Sequence, residues 1–407
     1  MKIIGLGGSR ESAPIVAHLN DLGYEVIVVD QDQKCAAREY AAQFVLASCY
    51  DARRAVSALL AEHVQADGVL CCAVDAPHVA AEIARVLGLP GLVPERARLS
   101  VDKWRQNMTL REAGIMVPAT RRIGEPWRGD ASLAKKFVVK PNDLRGGRGV
   151  LVLDGTQFED AQRIRISQAQ ALRAGGSGTL IMQEWIEGQQ ISTESIVVDG
   201  KVLFTAVAAR NYDRLREFAP YVVEDGSDSG IQGHSSQISS LTETIERSCA
   251  ALGWDNLTVK GDLILIENAK WVIIELAARL SGGYFASAII PAAYGVDLIG
   301  AAAALAVGRS QSSVVSSQNV CVCQRYIFPE PADVGRRVVE VKAPGAMKLN
   351  GEIVSATIHV KAGDRIKPVV SHTERWGQVV TAGESASSAQ KAAAEAVKRL
   401  KAGVKLA

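Results

Sequence analysis

The sequence predicts an α/β protein in three parts: an N-terminal parallel α/β domain, a mixed α+β body, and a small β-rich C-terminal domain. Three observations predict it. Strand-like runs alternate with amphipathic helical stretches over the first 95 residues. Around 137–200 and 255–280, β-branched runs flank glycine-rich or charged turns. The stretch 320–378 is strand-rich and is followed by an alanine-rich helix over 385–402. A chain of 407 residues that is 48% hydrophobic and 22% charged has the apolar material for two or three cored domains.

Taken in order, residues 2–6 form a first strand, 11–22 a helix, 25–29 a second strand ending at Asp30, 51–62 a helix, and 68–73 a buried strand. A glycine turn after strand one and an acid after strand two invite a dinucleotide reading. G-L-G-G-S-R lacks the third glycine, with Arg10 at that position, so none is assigned. From about Val93 the texture changes: P-E-R-A-R-L-S-V-D-K-W gives a helix, and A-G-I-M-V-P ends the next one at Pro118. Residues 137–200 read as strands around a glycine loop plus one helix, and 255–280 as two adjacent strands. The longest apolar run, 286–308, carries Pro291 and Asp297 and reads as a buried helix, not a membrane span. The Ser-rich stretch 308–317 reads as a linker. The domains are therefore expected at 1–95, 96–312 and 313–407.

The 46 basic and 44 acidic residues are spread along the chain and leave a formal charge of +2, so neither nucleic acid nor an anionic membrane is an expected partner. The N-terminus turns glycine-rich and then acidic where a signal peptide would need an apolar stretch, which points to the cytoplasm. Seven cysteines without a paired C-x-x-C read as reduced, mostly buried thiols; zinc at Cys321 and Cys323 would need two further ligands that the sequence does not offer nearby.

The chemistry begins at F-V-V-K-P-N-D-L-R-G-G-R-G-V, residues 137–150, where a strand ending in Lys140 meets a loop holding Gly146, Gly147 and Gly149. Glycine lets backbone N–H groups approach phosphate oxygens and the lysine adds a compact cation, a combination suited to polyphosphate. A hairpin turn would look similar. In K-G-D-L-I-L-I-E-N-A-K-W-V-I-I-E, antiparallel pairing would set Asp262 beside Glu275. Two such acids repel unless a cation lies between them, and Mg²⁺ takes hard oxygen ligands while completing its shell with phosphate and water. Solvated acids on a sheet edge are the alternative, but W-V-I-I before Glu275 suggests burial and favours metal. Arg279, followed by S-G-G, suits either a structural ion pair or a developing phosphoryl charge. Q-E-W-I-E-G at 183–188 offers an acid, a backbone edge and apolar walls to an adenine ring, and by itself reads equally as an amphipathic strand end. Arg210, Arg214 and Arg216 in 208–225 would anchor a substrate carboxylate or phosphate if they did not belong to a solvated charged loop, which is the favoured reading.

In this order and spacing, Asp102-Lys103, V-V-K-P with G-G-R-G, Q-E-W-I-E-G, D-x12-E-x3-R and Y-G-V-D-L resemble the ATP-grasp superfamily over nearly the whole chain. The tail H-T-E-R-W-G-Q-V-V-T-A-G-E resembles the C-terminal domain of its biotin carboxylase and amino-acid ligase branches. The resemblance implies a pre-ATP-grasp domain over 1–95, a two-lobed ATP-grasp domain with a mobile lid at about 133–187, and the small C-terminal domain. It implies Lys103 and Lys140 on the ATP phosphates, loop 146–149 as lid, and adenine contacts from Glu184, Trp185 and the backbone of Ile186. Asp262 and Glu275 become ligands of Mg²⁺, with Mn²⁺ as an alternative ion, and Arg279 steadies the acyl-phosphate or tetrahedral species. The chain departs from the family at Ala277, where asparagine is usual, and at Gln190, where an acid commonly holds the ribose.

The expected activity is ATP-dependent ligation of a small carboxylate to a small amine through an acyl phosphate, with bicarbonate activation as carboxyphosphate the alternative that Ala277 and the tail suggest. A homodimer is compatible with this reading.

Overall fold

The computed structural model describes residues 1–124, 136–154, 161–230, 235–267, 270–310, 313–316, 320–347 and 351–407. The chain divides into two compact units. The first comprises Met1–Val117, Gln190–Val207 and Gly233–Ser317; the second comprises Pro118–Gln189, Ala208–Gln232 and Gln318–Ala407.

The first unit opens with a parallel sheet in the order Gln43–Leu46, Glu25–Asp30, Lys2–Leu6, Gly68–Cys71. Near-continuous apolar strands such as E-V-I-V-V-D suit a parallel sheet covered on both faces. Its core gathers Ile4, Leu6, Ile27, Val29, Val45, Leu59 and Ile83. The helix Ala52–Ala61 starts where Asp51 accepts the Arg54 N–H at 3.0 Å, a cap worth about 1 kcal/mol. The strand Gln43–Leu46 and the helix Pro77–Leu87 are additions to the sequence reading. A second core forms around Trp254, with Leu110, Leu241, Ile245, Val259, Leu263 and Ile273, and the Trp254 indole donates to the Arg96 carbonyl at 2.9 Å. This core backs the antiparallel pair Leu257–Ile266 and Lys270–Ala277, with Gln189–Val198 next to the former.

Two sequence expectations change here. The apolar run at 286–308 is not one helix but Phe285–Ile289, Ile290–Tyr294 and Leu298–Ala306. Gly295, at φ +66°, stops the middle piece, and Asp297 caps the last by accepting the Gly300 N–H at 2.8 Å. The helix expected to run to Pro118 is Lys103–Glu112, because Gly114 turns left-handed at φ +70° just beyond it.

The second unit holds a four-stranded antiparallel sheet in the order Thr120–Arg122, Leu180–Glu184, Lys136–Pro141, Leu151–Asp154, accompanied by the helix Ala161–Arg173. Phe137, Val139, Leu151, Leu153 and Met182 are its core. Elsewhere in this unit Gly226–Ser229, Cys321–Ile327, Gly377–Gly383 and Glu352–Ile358 pair antiparallel. The helix Ala386–Ala402 covers Ile327 and Val379 with Ala389, Ala393, Ala396 and Leu400, a stripe at helical spacing, and Ser385 caps it.

None of the seven cysteines forms a disulfide, five are buried, and burial pushes the Cys72 thiol up to about 12. Among the described residues no helix is long and apolar enough to cross a membrane.

Candidate active site

In the first unit, the register of the Leu257–Ile266 and Lys270–Ala277 hairpin puts Asp262 opposite Glu275 and Lys260 opposite Ala277. Alternation along a strand sends Lys260 and Asp262 to the same face. The four carboxylate oxygens are all engaged. Asp262 Oδ1 accepts the Ser192 hydroxyl at 2.9 Å, and Oδ2 accepts the Lys260 ammonium. Glu275 Oε1 lies 3.8 Å from Lys260 Nζ, and Oε2 lies 3.6 Å from Lys103 Nζ. Lys103 is the first residue of its helix, whose start is fixed by the Asp102 carboxylate accepting the Arg105 N–H at 3.0 Å. Buried Gln106, one turn further, donates to Leu276 O at 2.8 Å and accepts the Leu276 N–H at 2.8 Å. That clamp joins the strand carrying Glu275 to the helix carrying Lys103.

The donor set fits Mg²⁺: two hard carboxylates on neighbouring strands, one of them buried. Among the described residues no three His, Cys, Asp or Glu side chains gather to hold an ion by themselves, so the shell has to be completed by oxygens that arrive with a ligand.

Arg279 leaves the same strand on the far side of Ala277. Its Nε pairs with Asp75 from the bend after the strand Gly68–Cys71, and Nη1 donates to Leu280 O at 3.1 Å. Burial works against its charge, yet Asp75, then Glu194 and Glu275, more than restore it, so its pKa is raised. Glu194, fully buried on Gln189–Val198, accepts the Ser281 N–H at 2.9 Å and the Ser281 hydroxyl. Desolvation pushes the Glu194 carboxyl up to about 7, against the lowering effect of those bonds and of Arg279 and Lys260. Glu11 accepts the Gly283 N–H at 2.8 Å. Three carboxylates from three separate parts of the chain thus grip residues 279, 281 and 283. Gln190 sits at the start of the Glu194 strand.

In the second unit, Lys140 is buried near the end of Lys136–Pro141, opposite Ile181. Gly146, Gly147 and Gly149 are all left-handed, at φ +68°, +68° and +72°. At Gly149 a Cβ would also come within 2.9 Å of the Pro141 ring and 3.1 Å of Ser167 O, so both conformation and space exclude a side chain. The loop is tied at both ends: His372 N–H donates to Gly146 O at 3.1 Å, and the Ser167 hydroxyl to Gly149 O at 2.6 Å. Glu184 ends the strand Leu180–Glu184, where its carboxylate accepts the Ala119 N–H at 3.2 Å. The Trp185 indole donates to Glu187 at 2.9 Å, and the Lys136 ammonium lies 5.9 Å from its ring centre. Ile186 falls between this strand and the next.

The solvated-loop reading of the arginines holds for Arg216, which is exposed, but not for Arg210. Arg210 lies on the strand Lys201–Asn211 and pairs, with its side chain 10% exposed, with Glu224 at 2.7 Å. Arg375 reaches the same carboxylate at 3.4 Å and the Glu224 carbonyl at 2.7 Å, stacked 3.4 Å over Tyr326. The sequence reading missed Lys260, Glu194, Asp75, Glu11, Glu224, Arg375 and His372 as site residues. Only Lys260 carried a local signal, the i, i+2 spacing to Asp262.

A family model described as the ATP-grasp domain matches residues 100–283, and one described as L-amino acid ligase C-terminal domain 2 matches residues 332–405. Residues 100–283 are therefore an ATP-grasp domain. The chain's fold is that of ATP-grasp ligases, ATP-dependent enzymes that form carbon–nitrogen bonds. The L-amino acid ligase from Bacillus licheniformis superposes with a TM-score of 0.76 at 17% identity, covering 100% of this chain and 98% of that one. Phosphoribosylglycinamide synthetase from Anaerococcus prevotii gives 0.72 at 17% identity, covering 100% and 99%. Biotin carboxylase from Campylobacter jejuni gives 0.68 at 15% identity, covering 100% and 92%. At these identities the likeness is one of fold. No curated protein matches the sequence significantly.

Proposed function

We propose that this ATP-grasp enzyme is a carboxylate–amine ligase that joins two small amino-acid-like metabolites through an acyl phosphate. The observation that carries the reading is the Asp262 and Glu275 pair, held in cross-strand register with Lys103 against it, in a chain whose tail matches the L-amino acid ligase model. When bound at those carboxylates, Mg²⁺ supplies positive charge to the transferring phosphoryl group. Lys103, Lys140 and the loop of Gly146, Gly147 and Gly149 hold the ATP phosphates, while Glu184, Trp185, Ile186 and Gln190 hold the nucleoside. The substrate carboxylate oxygen attacks the γ-phosphorus and ADP leaves. The amine nitrogen then attacks the acyl carbon, phosphate leaves, and the nitrogen gives up a proton. Arg279 faces the charge that develops in both steps, and a closed loop keeps water off the acyl phosphate. We assign the domains as 1–95, 96–312 and 313–407.

The test varies one acid and one amine at a time while ADP is measured. ADP formation should depend on the organic acid, hydroxylamine in place of the amine should trap a hydroxamate, and bicarbonate should be dispensable. ATP cleavage that rises with bicarbonate alone would overturn this reading in favour of carboxyphosphate chemistry, which the missing ligand at Ala277 favours.

A further inference from the structure

We infer that Lys260 is the resident counter-cation of the Asp262 and Glu275 pair, and that a divalent ion enters this site only together with nucleotide phosphates. The inference rests on reading the two acids as metal ligands. Its geometry is independent of that reading: the ammonium of Lys260 bonds Asp262 Oδ2 and lies 3.8 Å from Glu275 Oε1, the position a bridging cation would take.

Two carboxylates facing each other across an antiparallel pair repel, and Asp262 is buried, so folding without metal demands a cation. Lys260 supplies it from within the chain, and its neighbour across the ladder, Ala277, is too small to displace it. Lys103 completes the balance at Glu275 Oε2. Each acid already has an ammonium against it, so a lone divalent ion would have to displace Lys260 to enter. Nucleotide phosphates change this. They bring several negative charges, draw the flexible ammonium off the carboxylates, and supply the remaining oxygens an octahedral ion needs. Lys260 is in this account a positioning residue that sets the order of binding.

The experiment follows Mn²⁺ binding to the full chain by electron paramagnetic resonance, with and without ADP, for the parent, Lys260→Met and Lys260→Arg. Without nucleotide, the parent and Lys260→Arg should bind Mn²⁺ weakly, and Lys260→Met at least about tenfold more tightly. With ADP the gap should close. Added Mn²⁺ should also raise the melting temperature of Lys260→Met more than that of the parent. Equal nucleotide-free affinities in parent and Lys260→Met would overturn the inference, as would tight Mn²⁺ binding by the parent alone. If Lys260→Met does not fold, Lys260→Gln reads the same comparison. Failure of ADP to bind the parent would instead sink the ligase reading, while the nucleotide-free comparison would still decide the role of Lys260.

Discussion

Replacing Glu194 with glutamine tests the grip on the Arg279 loop, and the structure sets both the size and the sign of the effect. Glu194 is fully buried and its carboxyl is raised from 4.5 to about 7. The native state therefore holds this proton more tightly than the unfolded chain does. Stability from this group is fully present below the unfolded value and falls as pH rises from about 4.5 to about 7. At about 1.4 kcal/mol per pH unit the loss is about 3 kcal/mol. Glutamine keeps the shape and cannot ionise, so Glu194→Gln should lack this slope. Where the protonated carboxyl brings one acceptor and one O–H donor to Ser281, the amide brings one acceptor and two N–H donors, and burying the extra donor costs about 1 kcal/mol at every pH. The variant should thus be slightly less stable than the parent at about pH 4.5 and more stable, by roughly 2 kcal/mol, at about pH 8. Urea denaturation followed by tryptophan fluorescence, run in parallel across that range, gives the difference directly. A stability difference that stays flat with pH would show that Glu194 titrates normally and that the burial argument is wrong.

Three further outcomes are expected. Glu275→Gln should lower turnover by at least about a hundredfold with little change in melting, because it removes a metal charge at a side chain that is one-third exposed; near-normal phosphate release would mark the acid pair as structural. Gly149→Ala should cost about 1–3 kcal/mol and raise KM for ATP, since a left-handed residue packed against Pro141 and Ser167 would have to move; a neutral urea midpoint with unchanged KM would count against the loop as a phosphate cover. Amide hydrogens of residues 143–149 should exchange more slowly when Mg-ATP is added, because phosphate contacts offset the entropy of three glycines; protection indifferent to nucleotide would argue for a plain hairpin.

The sequence alone was enough to bring the two acids onto adjoining strands. I-L-I and W-V-I-I flank a short charged turn, so the hairpin is local; uniform pairing from that turn would set Asp262 against Ile274, and an irregularity between Asp262 and Leu263 shifts it opposite Glu275. Strand alternation, carried two residues back from Asp262, would have brought Lys260 to that face. Lys140 and the three glycines were noticeable for a similar reason: each lies within a few residues of one turn, and at Gly149 a positive φ beside the Pro141 ring leaves no room for a side chain. The apolar run at 286–308 misled because hydropathy registers burial but not the helix break between Gly295 and Asp297. What the tertiary structure decided is the set of partners around Arg279. Asp75 lies 204 residues from it in sequence, Glu194 is 87 from Ser281, and Glu11 is 272 from Gly283. No spacing rule reaches across such separations. Those carboxylates meet the loop because the parallel sheet, the strand Gln189–Val198 and the hairpin pack within one unit, and a buried guanidinium or backbone N–H is stable there only where packing brings an acceptor to it.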